Sequence, residues 1–239
     1  MATKKPQELG PLVKKRIGLI IGPSATLSPS FLPDLNKHLR RELNSDVPAS
    51  TYLDIGDAAV QAGCDERQVR EAIRQFTSAQ KVSAVLAHLG EARLNAALSL
   101  CLDQQLETAL QEHADKNPGL PKVAAINDLR SLPPPKSLPV YKLLGSAARD
   151  DFAFTRLTYI ERKSAWRTVI RAFADANRGA PVLCLGVTEA DLFFLELLGE
   201  MRADPVALPH PLLMLDSEPI ARSAFVEVKS LSVCKSYSR

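Results

Sequence analysis

Residues 16–26 read Arg16-Ile17-Gly18-Leu19-Ile20-Ile21-Gly22-Pro23-Ser24-Ala25-Thr26, and this stretch decides the fold class. The apolar run over 16–21 (RIGLII) has strand length, and Gly22-Pro23 stops it. Its apolar residues are continuous rather than alternating. A strand of that kind is covered on both faces, as strands of parallel sheets between helical layers are.

Similar runs recur downstream. They lie at 122–126 (KVAAI), 139–143 (PVYKL), 181–185 (PVLCL), 212–215 and 225–228, with a short strand at 152–155. Helices separate them. Leu35, Leu39 and Leu43 recur every four residues, with Lys37, Arg40 and Arg41 opposite. Trp166, Val169, Ile170 and Phe173 form the inner face of a helix over 160–176, which Gly179 ends. Residues 192–201 form another helix. The stretch 52–114 reads as helical throughout. Asp65 with Gln68 starts one helix, a short helix through Val82, Val85 and Leu86 ends at Gly90, and a long one covers 92–113. Pro133, Pro134 and Pro135 make a stiff connector. The order predicts a doubly wound, Rossmann-like α/β fold with a parallel sheet. A helical insertion at 46–115 follows the first βα unit. One domain spans 16–232, between a flexible arm (1–15) and a tail or linker (233–239).

Composition narrows the function. In 239 residues, 30 Lys and Arg stand against 27 Asp and Glu, a net charge of +3, which excludes a strongly basic nucleic-acid binder. No apolar run reaches membrane-spanning length, so no membrane partner is expected. The first fifteen residues, MATKKPQELGPLVKK, have no apolar core of the secretory kind. The four cysteines, Cys64, Cys101, Cys184 and Cys234, form no CxxC pair and have no zinc-ligand spacing. A reducing cytoplasm is the expected compartment, with Cys184 a buried, inert thiol.

In an open parallel sheet, ligands bind beyond the carboxyl ends of the strands. Four such ends carry notable residues: Gly22 to Thr26, Asn127-Asp128, Leu143-Leu144-Gly145, and Gly186 to Asp191. In order, the pieces read IIGPSAT, AIND, VYKLLG, FTRLTY and CLGVTEAD. This ordered set resembles the SIR2-like family, sirtuin-related NAD-consuming domains, and especially its bacterial defence branch. The resemblance covers about residues 16–215 and is strongest at 140–145 and 182–191.

The resemblance implies a nucleotide site formed by Gly22, Ser24, Thr26, Asn127, Gly186, Thr188 and Asp191, with NAD or ADP-ribose as its ligand. It also implies a general base at the position of Leu144. Leucine accepts no proton, and loss of a positioned base removes roughly 10²–10⁴-fold in rate. The diphosphate loop departs too. Pro23 has no N–H to offer, and Ser24 adds a side chain where the family has glycine. Val187 replaces the family tyrosine, and one residue is missing between Asn127 and Asp128. The zinc module of deacylating sirtuins is absent, so no metal is expected.

The expected function is therefore a catalytically degenerate module with no cofactor expected and at most weak binding of NAD or ADP-ribose. It would serve as a binding or assembly component of a larger complex, in anti-phage defence by resemblance, with a protein as its partner. Lys37, Arg40, Arg41 and Lys163 are its candidate basic contacts. One alternative is an active NAD hydrolase using Asn127 with a displaced base, drawn from Asp128, Glu189 or a histidine of the insertion, His88 or His113. Another is a nucleic-acid-associated protein on a similar sheet.

Overall fold

The computed structural model describes residues 16–26, 31–43, 52–79, 92–187, 192–203, 212–215 and 229–231, together with Leu86 and Leu89. The expected arm, the tail, the strand at 225–228 and most of the short helix before Gly90 lie outside the described residues.

Seven parallel strands form one sheet in the order β3-β4-β2-β1-β7-β8-β9. They are β1 (Ile17–Ile21), β2 (Leu94–Ser99), β3 (Val123–Ile126), β4 (Leu138–Lys142), β7 (Val182–Leu185), β8 (Leu212–Leu215) and β9 (Lys229–Leu231). A separate antiparallel pair, β5 (Gly145–Ser146) with β6 (Asp151–Phe152), sits beyond β4. The α/β fold with a parallel sheet is thus as the apolar runs indicate.

Alternation along β1 sorts its side chains between two layers. Ile17, Leu19 and Ile21 pack with Leu106, Ala109 and Leu110 of α5 (Gln105–Lys116). Ile20 points the other way, into the larger core. That core draws Leu35 and Leu39 from α2 (Phe31–Leu43), and Val69 and Ile73 from α4 (Glu66–Ser78). It also takes Trp166, Val169, Ile170 and Phe173 from α7 (Trp166–Ala176), and Phe193, Phe194 and Leu197 from α8 (Leu192–Ala203). Each fully buried Leu, Ile or Phe contributes roughly 1.5–3 kcal/mol of transfer free energy. The remaining helices are α1 (Pro23–Thr26), α3 (Tyr52–Gln61) and α6 (Arg156–Lys163).

One expectation fails at the centre of the sheet. The long helix over 92–113 is β2, a turn, and then α5. Leu94, Leu98, Leu102, Leu106 and Leu110 satisfy helical spacing, and Ala96 and Ala97 are good helix formers. Pairing on both sides wins instead: β2 bonds β1 over Leu94–Ser99 and β4 over Ala97–Ser99. Ser99 and Asp103 then break the run. Asp103 Oδ1 accepts the Gln105 N–H at 3.0 Å, which starts α5. The block at 46–115 is therefore not a helical insertion throughout, because it contains a central strand.

The helix expected over 160–176 is two helices, broken at Ser164-Ala165. The first begins earlier, because Thr155 caps it reciprocally with Thr158. The strand at 152–155 is only the short β6. Asp65 does cap α4, accepting from Arg67 N.

Candidate functional site at the carboxyl edge of the sheet

The order of strands reverses at β1, which lies between β2 and β7, so the crevice that would hold a ligand opens between the ends of β1 and β7. Here the two turns pack on each other. Gly22 N donates to Leu185 O at 2.9 Å, and Ala25 N donates to Gly22 O at 3.1 Å. A Cβ at Gly22 would lie 2.4 Å from Val187 Cγ1 and 2.5 Å from Gly186 O. Gly186 has φ +65°, and a Cβ there would fall 2.1 Å from Ala25 N. Both glycines permit contact between the two turns. Val187 is 3% exposed and belongs to the large core.

A diphosphate needs free backbone N–H groups with room in front of them. The N–H groups of Gly22 and Ala25 have carbonyl partners, Pro23 carries no N–H, and Val187 lies against Gly22. Among the described residues, the contact between the two turns leaves no room in front of Gly22 for the dinucleotide that the resemblance implies. Ser24 and Thr26 lie in α1, but their side chains fall outside the described part, as do Thr188, Glu189 and Asp191.

Asn127 ends β3, an outer strand. Two strands separate it from β1, so it lies about 14 Å from the Gly22 turn at ordinary strand spacing. A ligand that reached both would have to cross the ends of β4 and β2. Asn127 is 6% exposed. Its Nδ2 donates to the Asp151 carboxylate and to Asp151 O, and its Oδ1 has no partner among the described residues. Asp128 closes a turn: its carboxylate accepts from Arg130 N at 3.0 Å and Ser131 Oγ at 2.7 Å. These two hydrogen bonds, Ser131's the stronger influence, hold its pKa below the usual aspartate value. A carboxylate so engaged is a poor general base.

Leu144 is fully buried in the large core. Its carbonyl accepts from Ala153 N at 2.7 Å, which ties the β4 end to the strand pair beyond it.

Sequence reasoning missed the densest polar cluster on this edge, at the ends of β2 and β4. Ser99 and Lys142 stand opposite each other in the sheet register, and both have zero exposure. Lys142 Nζ lies 2.9 Å from Glu107 Oε1, 3.4 Å from Ser99 Oγ, and on Asp103 O. Its hydrogen bonds run to Ser99 Oγ and Asp103 O, and the Glu107 carboxylate is its ion-pair partner. The Glu107 carboxylate, 8% exposed, has no partner among the described residues besides this ammonium. Lone Lys142 in the apolar run VYKLL, and Asp103 with Glu107 four residues apart, were the available signals. Every member is buried, so the cluster locks α5 onto the sheet.

Arg162, on α6, ties the neighbouring strand ends. Its guanidinium donates to Asn127 O at 2.6 Å, Lys142 O at 3.0 Å and Leu143 O at 3.4 Å, and pairs with Asp151 at 2.9 Å. Trp166 Nε1 also donates to Leu143 O. The carbonyl ends of β3 and β4, which would face a ligand, are therefore occupied by side chains from α6 and α7.

The candidate basic contacts divide. Lys163 pairs with Glu196 of α8. Lys37, Arg40 and Arg41 line a surface groove of about 520 Å³ on α2, with Asp34 and His38, and Arg41 pairs with Glu42 at 2.9 Å. His38 contacts Ala72 O at 3.1 Å, and His113 is held by Asn117; neither stands at a strand end. Burial pushes the Cys184 thiol far up, so it is inert. Among the described residues no three His, Cys, Asp or Glu side chains gather as a metal site, and no helix is long and apolar enough to cross a membrane.

No protein-family model matches the sequence, and no curated protein matches it significantly.

Proposed function

We propose that this chain is a SIR2-like module that does not cleave NAD and works as a binding or assembly component of a larger complex, its use in anti-phage defence resting on the family resemblance. One observation carries the reading: the Gly22 and Gly186 turns are packed together under Val187 at the place where a dinucleotide would enter. Two further facts support it. Leu144 holds the position of the family base and is core. Asn127 stands on an outer strand and is committed to Asp151.

The test is incubation of the intact chain with NAD and measurement of nicotinamide. No release above the protein-free rate is expected. Leu144→His is expected to give none either, because the imidazole would enter the core and Val187 would still lie against Gly22. Turnover by the native chain, abolished by Asn127→Ala, would overturn the proposal and favour a hydrolase with a displaced base. Turnover restored by Leu144→His alone would show that the loop still seats the diphosphate.

A further inference from the structure

The chain passes from the end of β3 to the start of β4, its parallel neighbour, through residues 127–137 and without a helix. Leu132-Pro133-Pro134-Pro135 lies in this connector. Each proline ring fixes its own φ at roughly −65° and keeps the residue before it out of the helical region. Leu132, Pro133 and Pro134 all precede a proline, so the run is held in polyproline II form. A turn then closes it. Ser137 N donates to Pro134 O at 3.2 Å, and Ser137 Oγ donates to the same oxygen at 2.6 Å. Lys136 takes φ +60°, the left-handed conformation that the third position of a type II turn requires, and proline suits the second. The segment is thus shaped before anything binds it.

Polyproline II has about three residues per turn, so residues three apart share an edge. Pro133 is half-buried and forms the edge toward the chain, whereas Leu132, Pro134 and Pro135 are exposed. Leu132 with Pro135 makes one outward edge, and Pro134 the other. Leu132 is 89% exposed, the most of any large apolar side chain among the described residues. It does nothing for the core, which Leu129 and Leu138 fill on either side of it. Nor does it stiffen the connector, which the prolines do alone. The result is a contiguous apolar ridge on the surface, of the kind that marks an interaction site. Lys136, exposed and without an ion pair among the described residues, sets a positive charge at its end.

We propose that residues 132–136 are a docking segment for a partner protein whose groove, lined by aromatic side chains, reads polyproline II. The rings of such a groove pack on Pro134 and Pro135, an apolar pocket takes Leu132, and an acidic residue at its rim meets Lys136. The segment is already ordered, so binding costs little conformational entropy. It buries far less than the roughly 800 Å² per partner of a stable interface, so the complex is transient, with a Kd of about micromolar order. The proposal rests on the assembly reading for its use in the cell. Nicotinamide release tests that reading separately, since no change in the connector touches the Gly22 turn.

Titration of isotope-labelled SH3, WW and EVH1 domains with the intact chain, followed by nuclear magnetic resonance, tests it. At least one of the three is expected to show saturable shifts at its aromatic groove, and a free proline-rich peptide should displace the chain. Leu132→Ser and Pro134→Ala should each weaken binding by about tenfold or more. Leu157→Ser, which trims another exposed leucine on α6, should leave binding unchanged. Both connector residues are exposed, so those variants should unfold in urea as the native chain does. No saturable binding to any of the three domains up to about 1 mM would overturn the proposal. So would binding that survives both connector variants, or that falls equally with Leu157→Ser.

Discussion

Lys142→Ala is expected to lower the unfolding free energy by about 3–5 kcal/mol, the cost of removing one partner from a buried ion pair. The reason lies in what remains. Glu107 would keep a buried carboxylate with no donor among the described residues, and Ser99 Oγ and Asp103 O would lose the ammonium that joins them. The Ala also leaves the space of a long side chain empty under α5. Lys142→Met with Glu107→Leu should recover most of the loss, because an apolar pair of similar volume needs no charge compensation. Urea unfolding of the three proteins measures this. If the single and double variants were equally unstable, the loss would lie in packing rather than in the orphaned carboxylate.

Gly186→Ala is expected to cost about 3 kcal/mol, the second largest effect. Left-handed backbone at φ +65° costs an alanine roughly 1–2 kcal/mol. The new Cβ would also meet Ala25 N at 2.1 Å, and the backbone of α1 must yield, adding roughly 1–3 kcal/mol. Gly179→Ala is the control. Gly179 has φ +80° but nothing within 4 Å of its Cβ position, so only the backbone cost, about 1–2 kcal/mol, applies. A difference between the two variants in chemical unfolding reports the contact between the β1 and β7 turns. Equal losses would mean that the turns are apart in solution.

Most of the sheet was legible because β1, β3, β4 and β7 are apolar runs bounded by Gly, Pro or Asn. β2 was not. Leu94-Asn95-Ala96-Ala97-Leu98-Ser99 satisfies helical and strand periods together, and only its neighbours on both sides decide between them. The lateral order of strands was equally hidden. Chain order suggests that the ends of β1 and β3 could share a pocket, but β4 and β2 stand between them, and this separates Asn127 from Gly22. The substitutions at Pro23 and Leu144 were readable as chemical losses. That Val187 and the two glycines would bring the turns together was not, since that contact joins segments more than 160 residues apart. The Lys142–Glu107 pair was half readable: Lys142 stands out inside the apolar run VYKLL, but Glu107 alone looks like a solvated charge on a helix.

The filled crevice is the central claim, and the methyl resonances of Val187 and Ala25 report on it directly. In the intact, methyl-labelled chain titrated with NAD, neither resonance should show a saturable shift, because those groups occupy the space between the turns. Saturable shifts at both, at concentrations where distant methyls stay unchanged, would mean that the turns part to admit the dinucleotide, contradicting the account.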